Sequence, residues 1–246
     1  MTGSGISLRV YGEKMEDLQA AADCDSLKTY LEKFDLPLLG MQTAEGLREA
    51  AKSFLLDLKK ENVMYVEVRF APQLSVHEGF GCSQVIEAVL EGLREAEAIC
   101  KISWRVICCA MRHHTMEQNL EVFRTATEYL DRGVCAVDLA GDEASYPASQ
   151  FTDLFAEARA LGIPFTIHAG ECHSTENVRT SIEMGAKRIG HGIAMKEDPE
   201  LMKELPESMR KETWGSRCAL AAIFRRKRCR REKNIHWRSF GNRGFW

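Results

Sequence analysis

The segment IPFTIHAGECHS (163–174) ends a strand-like apolar run with His168 and, three positions later, Glu171. Histidine is the commonest metal ligand and suits zinc, and a glutamate moves protons well when burial raises its pKa. Gly170, between the two, lets a flat ligand approach closely. The pattern predicts that both side chains face one ligand; the alternative is a histidine packed at a strand end and a glutamate that caps the next helix.

Two further segments place polar groups where apolar runs end. RIGHGI (188–193) holds His191 between two glycines, which suits a proton-transfer group that meets a water or a metal; the alternative is a hydrogen-bonded histidine in a tight turn. VDLAGDE (137–143) puts Asp138 in a strand and Gly141 beyond it, where the glycine could offer its backbone N–H to a ligand. Its acids could support the site or cap a helix, and an ordinary polar loop explains each of them singly.

A repeating pattern of strands and helices must position these groups. The predicted strands are 63–70, 104–111, 134–140, 164–169 and 188–193, whose starts lie 41, 30, 30 and 24 residues apart, with helical segments between them. This rhythm is typical of βα units with a parallel sheet, whose apolar strands should be covered on both faces. Either a (β/α)₈ barrel or a doubly wound sheet fits it.

The barrel is favoured because reactive side chains follow several successive strands, as on a barrel's active face. No glycine-rich phosphate loop of the GxGxxG or GxxxxGK[ST] type follows any strand. About five of the eight strands that a closed barrel needs can be recognised.

The chain before the first strand is predicted to be helical from residue 15 to 61. Pro37 is expected to end the first helix there, and Thr43 to cap the second.

Composition indicates a globular protein of 246 residues, either one large domain or two small ones. No apolar run is long enough to cross a membrane, and the first residues lack a secretory signal, so no membrane partner is expected. The nine cysteines are odd in number and form no CxxC pair, which favours reduced thiols. A cytoplasmic location is the prediction.

Charge changes abruptly near residue 205. Residues 205–246 hold 12 Lys/Arg and 3 Asp/Glu, whereas the rest of the chain holds 33 − 12 = 21 basic and 36 − 3 = 33 acidic residues. The basic tail is interpreted as sequence foreign to the fold. A nucleic-acid-binding or localisation tail is the alternative, but no nucleic-acid partner is expected, because the basic run comes with no folded recognition element.

Taken together, EKFDLP, YVEVRFAPQL, VDLAGDE, FTIHAGE and RIGHGI occur in the order and spacing of one family. The chain resembles the adenosine deaminases, zinc-dependent enzymes of the amidohydrolase barrel group, over residues 15–204. The resemblance implies three parts: a non-matching segment 1–14, a partial barrel 15–204 and a non-matching tail 205–246. DLAGDE is more similar to adenosine deaminases than to adenine deaminases.

The resemblance also implies a role for each candidate residue. His168 would bind zinc, Glu171 would protonate N1 of the purine, and His191 would orient or deprotonate the attacking water. Gly141 would donate its backbone N–H to N3 of the purine. The implied small-molecule substrate is adenosine or deoxyadenosine, which water attacks at C6 to give inosine or deoxyinosine and ammonia; adenine or another aminopurine is the alternative.

The sequence departs from the family pattern in two places. The family's HxH pair and its pair of adjacent aspartates, which complete the zinc site, occur nowhere in the chain. We therefore expect a chain truncated at both ends, through a frameshift, an altered splice or a wrong gene boundary, that is inactive or poorly folded alone. The alternative from another class is a non-catalytic remnant that binds purines or, through its tail, nucleic acid.

Overall fold

A computed structural model of the chain describes residues 34–204. Five strands alternate with helices in this range. The strands are β1 (Tyr65–Phe70), β2 (Ser103–Met111), β3 (Val134–Ala140), β4 (Ile167–Ala169) and β5 (Ile189–His191). The helices are α1 (Asp35–Leu39), α2 (Ala44–Leu58), α3 (Cys82–Cys100), α4 (Met116–Thr127), α5 (Thr152–Ala160), α6 (Thr175–Glu183) and α7 (Pro199–Glu204).

The strands lie side by side in chain order, and all their pairings are parallel. β1, β2 and β3 form one sheet, β4 and β5 form a second, and a parallel bridge between Val137 and Phe165 joins the two. A doubly wound sheet reverses its strand order at a switch point, and these five strands do not. The predicted α/β class with a partial (β/α)₈ barrel is confirmed, and the doubly wound alternative is wrong.

The hydrophobic core lies between this arc of strands and the helices outside it. The rings of Phe123, Phe155 and Phe165 pack in a row from α4 through α5 to the residues before β4, with centroids 5.6 and 4.8 Å apart and the ring planes tilted. β2 and β3 are largely buried, as their apolar sequences predict. β1 is not, since Tyr65 is 53% exposed. Only Val68 of β1 is buried, so the prediction that every strand is covered on both faces is wrong there.

Local capping follows the sequence at most helix starts. The Thr43 side chain accepts a hydrogen bond from the Gly46 N–H at 3.1 Å, which confirms the predicted cap of α2. The prediction that Pro37 ends a helix is wrong, because Pro37 lies inside the first turn of α1. Proline is tolerated there because an N–H at that position has no partner within the helix. Residues 15–33 of the first predicted helical segment lie outside the described residues, as do the predicted segments 1–14 and 205–246.

In the part of the chain that the structure describes, no helix is both long and apolar enough to span a bilayer.

One ion pair joins the two ends of the arc. A guanidinium nitrogen of Arg188, just before β5, lies 2.6 Å from the carboxylate of Glu67 in β1. Burial alone would raise the pKa of the Glu67 carboxyl, but the hydrogen bond and charge of Arg188 outweigh burial and lower it. The pair therefore favours the ionised carboxylate and stabilises the fold when that carboxylate is charged.

Glu67→Gln is expected to lower the free energy of unfolding near pH 7 by about 1–2 kcal/mol, allowing for the partial exposure of the pair. The folded pKa is depressed, so the contribution is complete above the ordinary value of 4.5 and disappears as pH falls through the folded value. Urea unfolding of wild type and variant at several pH values should show the difference shrinking as the pH falls below 4.5 and through the folded pKa of Glu67. Asp57→Asn, which breaks the exposed Asp57–Lys60 pair, is the control and should change little. A difference that persists undiminished in acid contradicts the assignment.

Candidate active site

The carboxyl ends of β3, β4 and β5 bring the candidate residues to one edge of the arc. Asp138 lies within β3, and the strand register places His168 of β4 beside Gly190 of β5 and Ala169 beside His191. Parallel strands end at the same side of a sheet, so groups far apart in sequence meet there.

His168, Glu171 and His191 come together as the sequence predicts. The imidazole rings of His168 and His191 have centroids 5.0 Å apart, and Nε2 of His191 lies 3.4 Å from Oε2 of Glu171. All three side chains are partly buried, with 17–20% of each exposed. Their shared location is a structural finding, and their individual chemical roles stay a prediction.

Asp138, within β3, contacts the His168 side chain of the site. Its carboxylate is completely buried, with Oδ2 2.8 Å from Nδ1 of His168 and 3.2 Å from a guanidinium nitrogen of Arg69 in β1. Burial alone would raise the pKa of Asp138, but the His168 ring and the Arg69 charge outweigh it and hold the pKa below its ordinary value. The Asp138 carboxylate thus lies against Nδ1 of His168, an arrangement typical of histidines that bind a ligand through Nε2. The sequence signal was an acid inside an otherwise apolar strand.

Gly141, the predicted purine-binding residue, lies one residue beyond β3 at the same edge. Its φ of +111° is a conformation that side chains disfavour, and a Cβ there would come within 3.4 Å of the Arg112 backbone nitrogen. The structure thus requires a glycine beside the end of β2. Its predicted contact with N3 of a purine stays a prediction.

Two buried charged residues hold the strand ends in place: Arg112, for which the sequence predicted no role, and Glu143, one of the VDLAGDE acids that could support the site. The guanidinium of Arg112 donates to the backbone oxygens of His168 at 2.7 Å and of Tyr146 at 2.5 Å. The carboxylate of Glu143 accepts hydrogen bonds from three successive backbone N–H groups, those of residues 170–172. Each residue directly follows a strand or its turn, but nothing in the local sequence identifies the distant partner.

Cys172, next to Glu171, has a raised pKa, first through burial and then through the charges of Glu143 and Glu171. Its thiol therefore stays protonated near neutral pH, which argues against a nucleophilic role.

The donor set fits a zinc ion only in part. One ring nitrogen of His168 lies 2.8 Å from a carboxylate oxygen, as is common for metal-binding histidines. Within residues 34–204, however, no group of three His, Cys, Asp or Glu side chains is placed to hold a metal. The HxH and adjacent-aspartate pairs that would add ligands are missing from the sequence.

Sequence comparison supports the assignment that the motifs indicate. The family model described as adenosine deaminase matches residues 9–218. Curated adenosine deaminases from Enterococcus faecalis and Clostridium perfringens are 37% and 39% identical to the chain over 196 and 198 residues, 79% of its length in each case. The chain spans 58% and 60% of the lengths of these two relatives.

Solved structures agree at the level of the fold. An amidohydrolase from Burkholderia ambifaria with bound Zn superposes with a TM-score of 0.65 at 23% identity, covering 76% of this chain and 50% of that one. The apo N6-methyl-AMP deaminase from Arabidopsis thaliana gives a TM-score of 0.66 at 25% identity, covering 82% of this chain and 64% of that one. The chain belongs to the adenosine deaminase family.

Proposed function

We propose that this site is built for the hydrolytic deamination of adenosine to inosine and ammonia. The observation that carries the proposal is the meeting of Glu171, His191 and His168 at one edge of the strand arc. The family match and the adenosine deaminase relatives support the same reaction. Adenosine and deoxyadenosine are the proposed substrates, and adenine is the competing base.

Each described residue has a defined task in this proposal. Glu171 delivers a proton to N1 of the purine, which makes C6 more electrophilic, and His191 orients the attacking water or takes its proton. Gly141 donates its N–H to N3 and fixes the ring in the site. His168, held by Asp138, is the described residue suited to zinc, an ion that lowers the pKa of a bound water toward about 7. A cytoplasmic location is proposed from the scattered, unpaired cysteines.

Binding of the product, inosine, tests the proposed contact between Glu171 and the purine. The N1–H of inosine can donate to the ionised Glu171 carboxylate, a charge-assisted hydrogen bond. Calorimetric titration of the full chain with inosine should therefore show binding that Glu171→Gln weakens about tenfold. Glu176→Gln, an exposed acid in the first turn of α6, is the matched control and should leave the affinity unchanged.

The same titration with adenosine, deoxyadenosine and adenine ranks the proposed substrates. A wild-type chain that binds none of these purines contradicts the proposed function. Ammonia release from adenosine in the presence of zinc tests the separate expectation that the chain alone is inactive. Robust turnover would overturn that expectation while supporting the reaction.

A further inference from the structure

The loop that carries Glu171 is held through its backbone. Gly170, with φ +74°, turns the chain after β4 so that three consecutive N–H groups point to one side. Oε1 of Glu143 accepts from Gly170 at 2.6 Å, and Oε2 accepts from Glu171 at 2.8 Å and from Cys172 at 3.1 Å. Successive N–H groups arranged in this way form a concave anion-binding nest, and the anion here belongs to the protein itself.

The Glu143 carboxylate is buried against the backbone N–H groups of residues 170–172. The residue is 2% exposed, and the groups that its carboxylate binds lie 27–29 residues later in the sequence. The neighbouring Asp142 turns the loop after β3 by accepting from the Ala144 and Ser145 N–H groups. The Glu143 side chain therefore faces the end of β4 and not solvent.

Arg112 holds the same segment from its other end. Its guanidinium donates a hydrogen bond to the His168 carbonyl. Residues 168–172 are therefore bound at one end by the buried Arg112 cation and at the other by the buried Glu143 carboxylate, which accepts from three amides. Burial lowers the pKa of Arg112, and the charge of Glu143 is the largest of the effects that oppose the shift. The two charges thus compensate each other while each holds one end of the segment.

The direction of the Glu171 side chain depends on this backbone. Its carboxylate must stay within reach of His191, now 3.4 Å away, and of a ring nitrogen of the bound purine. Displacements of about 1 Å at a catalytic group cost up to about a hundredfold in rate. Gly170 also packs tightly against α6, since a Cβ there would lie 2.8 Å from Cγ2 of Val178.

We infer that Glu143 is a positioning residue: its carboxylate fixes the backbone of residues 170–172 and thereby aims Glu171 at the ligand. The effect of this positioning on Glu171 and its ligand rests on the proposed function. The fixing of the loop by Glu143 does not depend on it. Glu143 is not a catalytic residue, because it acts only through the backbone of the loop.

Hydrogen exchange tests the fixing of the loop without any ligand. Glu143→Gln replaces one accepting oxygen with an NH₂ group, which faces backbone N–H donors. We expect hydrogen exchange of the 170–172 amides, followed by peptide mass spectrometry, to quicken at least about tenfold. Glu176→Gln should leave the exchange rates at the wild-type level. Unchanged exchange rates in Glu143→Gln overturn the inference.

A double-mutant cycle tests the aiming of Glu171. Glu143→Gln should weaken inosine binding in the wild-type background and have little further effect in the Glu171→Gln background. Equal losses in both backgrounds overturn the positioning role and indicate a general structural one. If Glu143→Gln does not fold, Glu143→Asp, one methylene shorter, takes its place, and unchanged exchange in that variant overturns the inference. If the wild-type chain does not bind inosine but the 170–172 amides exchange faster in Glu143→Gln, the result counts against the proposed function. It does not count against the fixing of the loop by Glu143.

Discussion

Asp138→Asn is expected to destabilise the protein by about 3–5 kcal/mol, the usual cost of removing one partner from a buried ion pair. The carboxylate is completely buried, and one oxygen serves both Arg69 and His168 while the other accepts the Leu139 N–H at 2.8 Å. An amide keeps the volume but loses the charge that compensates Arg69, whose side chain is only 10% exposed. Urea unfolding near neutral pH measures the loss.

Asp153→Asn makes the same chemical change on the exposed first turn of α5 and should stay within about 0.5 kcal/mol of wild type. Arg69→Met provides the second control, since it removes the charge that Asp138→Asn would strand. Arg69→Met should lower the free energy of unfolding by less in the Asp138→Asn background than in the wild type. Equal costs of Arg69→Met in the two backgrounds would falsify the proposed coupling between Arg69 and Asp138.

Arg112→Met is the second substitution with a large expected effect. It removes two donors from the buried carbonyls of Tyr146 and His168, and it leaves the Glu143 carboxylate without its nearby cation. The guanidinium also lies 5.6 Å from the ring centre of Phe151, a contact that the methionine keeps only in part. We expect a loss of about 3–5 kcal/mol in the free energy of unfolding.

Arg124→Met is the matched control for this change. Arg124 is 59% exposed and pairs with Glu157 at 3.2 Å on the surface, so its loss should cost no more than about 1 kcal/mol. Thermal and urea unfolding of both variants supply the comparison. If the two arginines prove equally dispensable, the buried contacts of Arg112 do not stabilise the junction between β3 and β4.

The fold was predictable because its signals are local. The run VCAVDLA predicts β3 to the residue, and Thr43 caps α2 through a neighbour three positions away. β4 is shorter than predicted, beginning at Ile167 instead of Pro164, because Phe165 forms only an isolated bridge to Val137. The meeting of His168 and His191 also followed from sequence, since both lie at the carboxyl ends of parallel strands.

The supporting contacts of the site were not predictable in the same way. Glu143 binds amides nearly thirty residues later, and Arg112 binds a carbonyl 56 residues later. Polar residues after strands are common, and only the folded chain shows which of them turns inward. The sequence could name the reacting groups, but the residues that hold those groups required the structure.

The narrow bridge between the β3 and β4 strands has a consequence for evolution and engineering. Asp138, Arg112 and Glu143 each make at least one polar contact to residues 168–172, so these contacts join the two sheets as well as shape the reactive edge. A substitution of these residues that changes the activity of the site will therefore also tend to destabilise the fold. Attempts to alter specificity should begin with extra stability placed elsewhere, such as in helices α2 and α3.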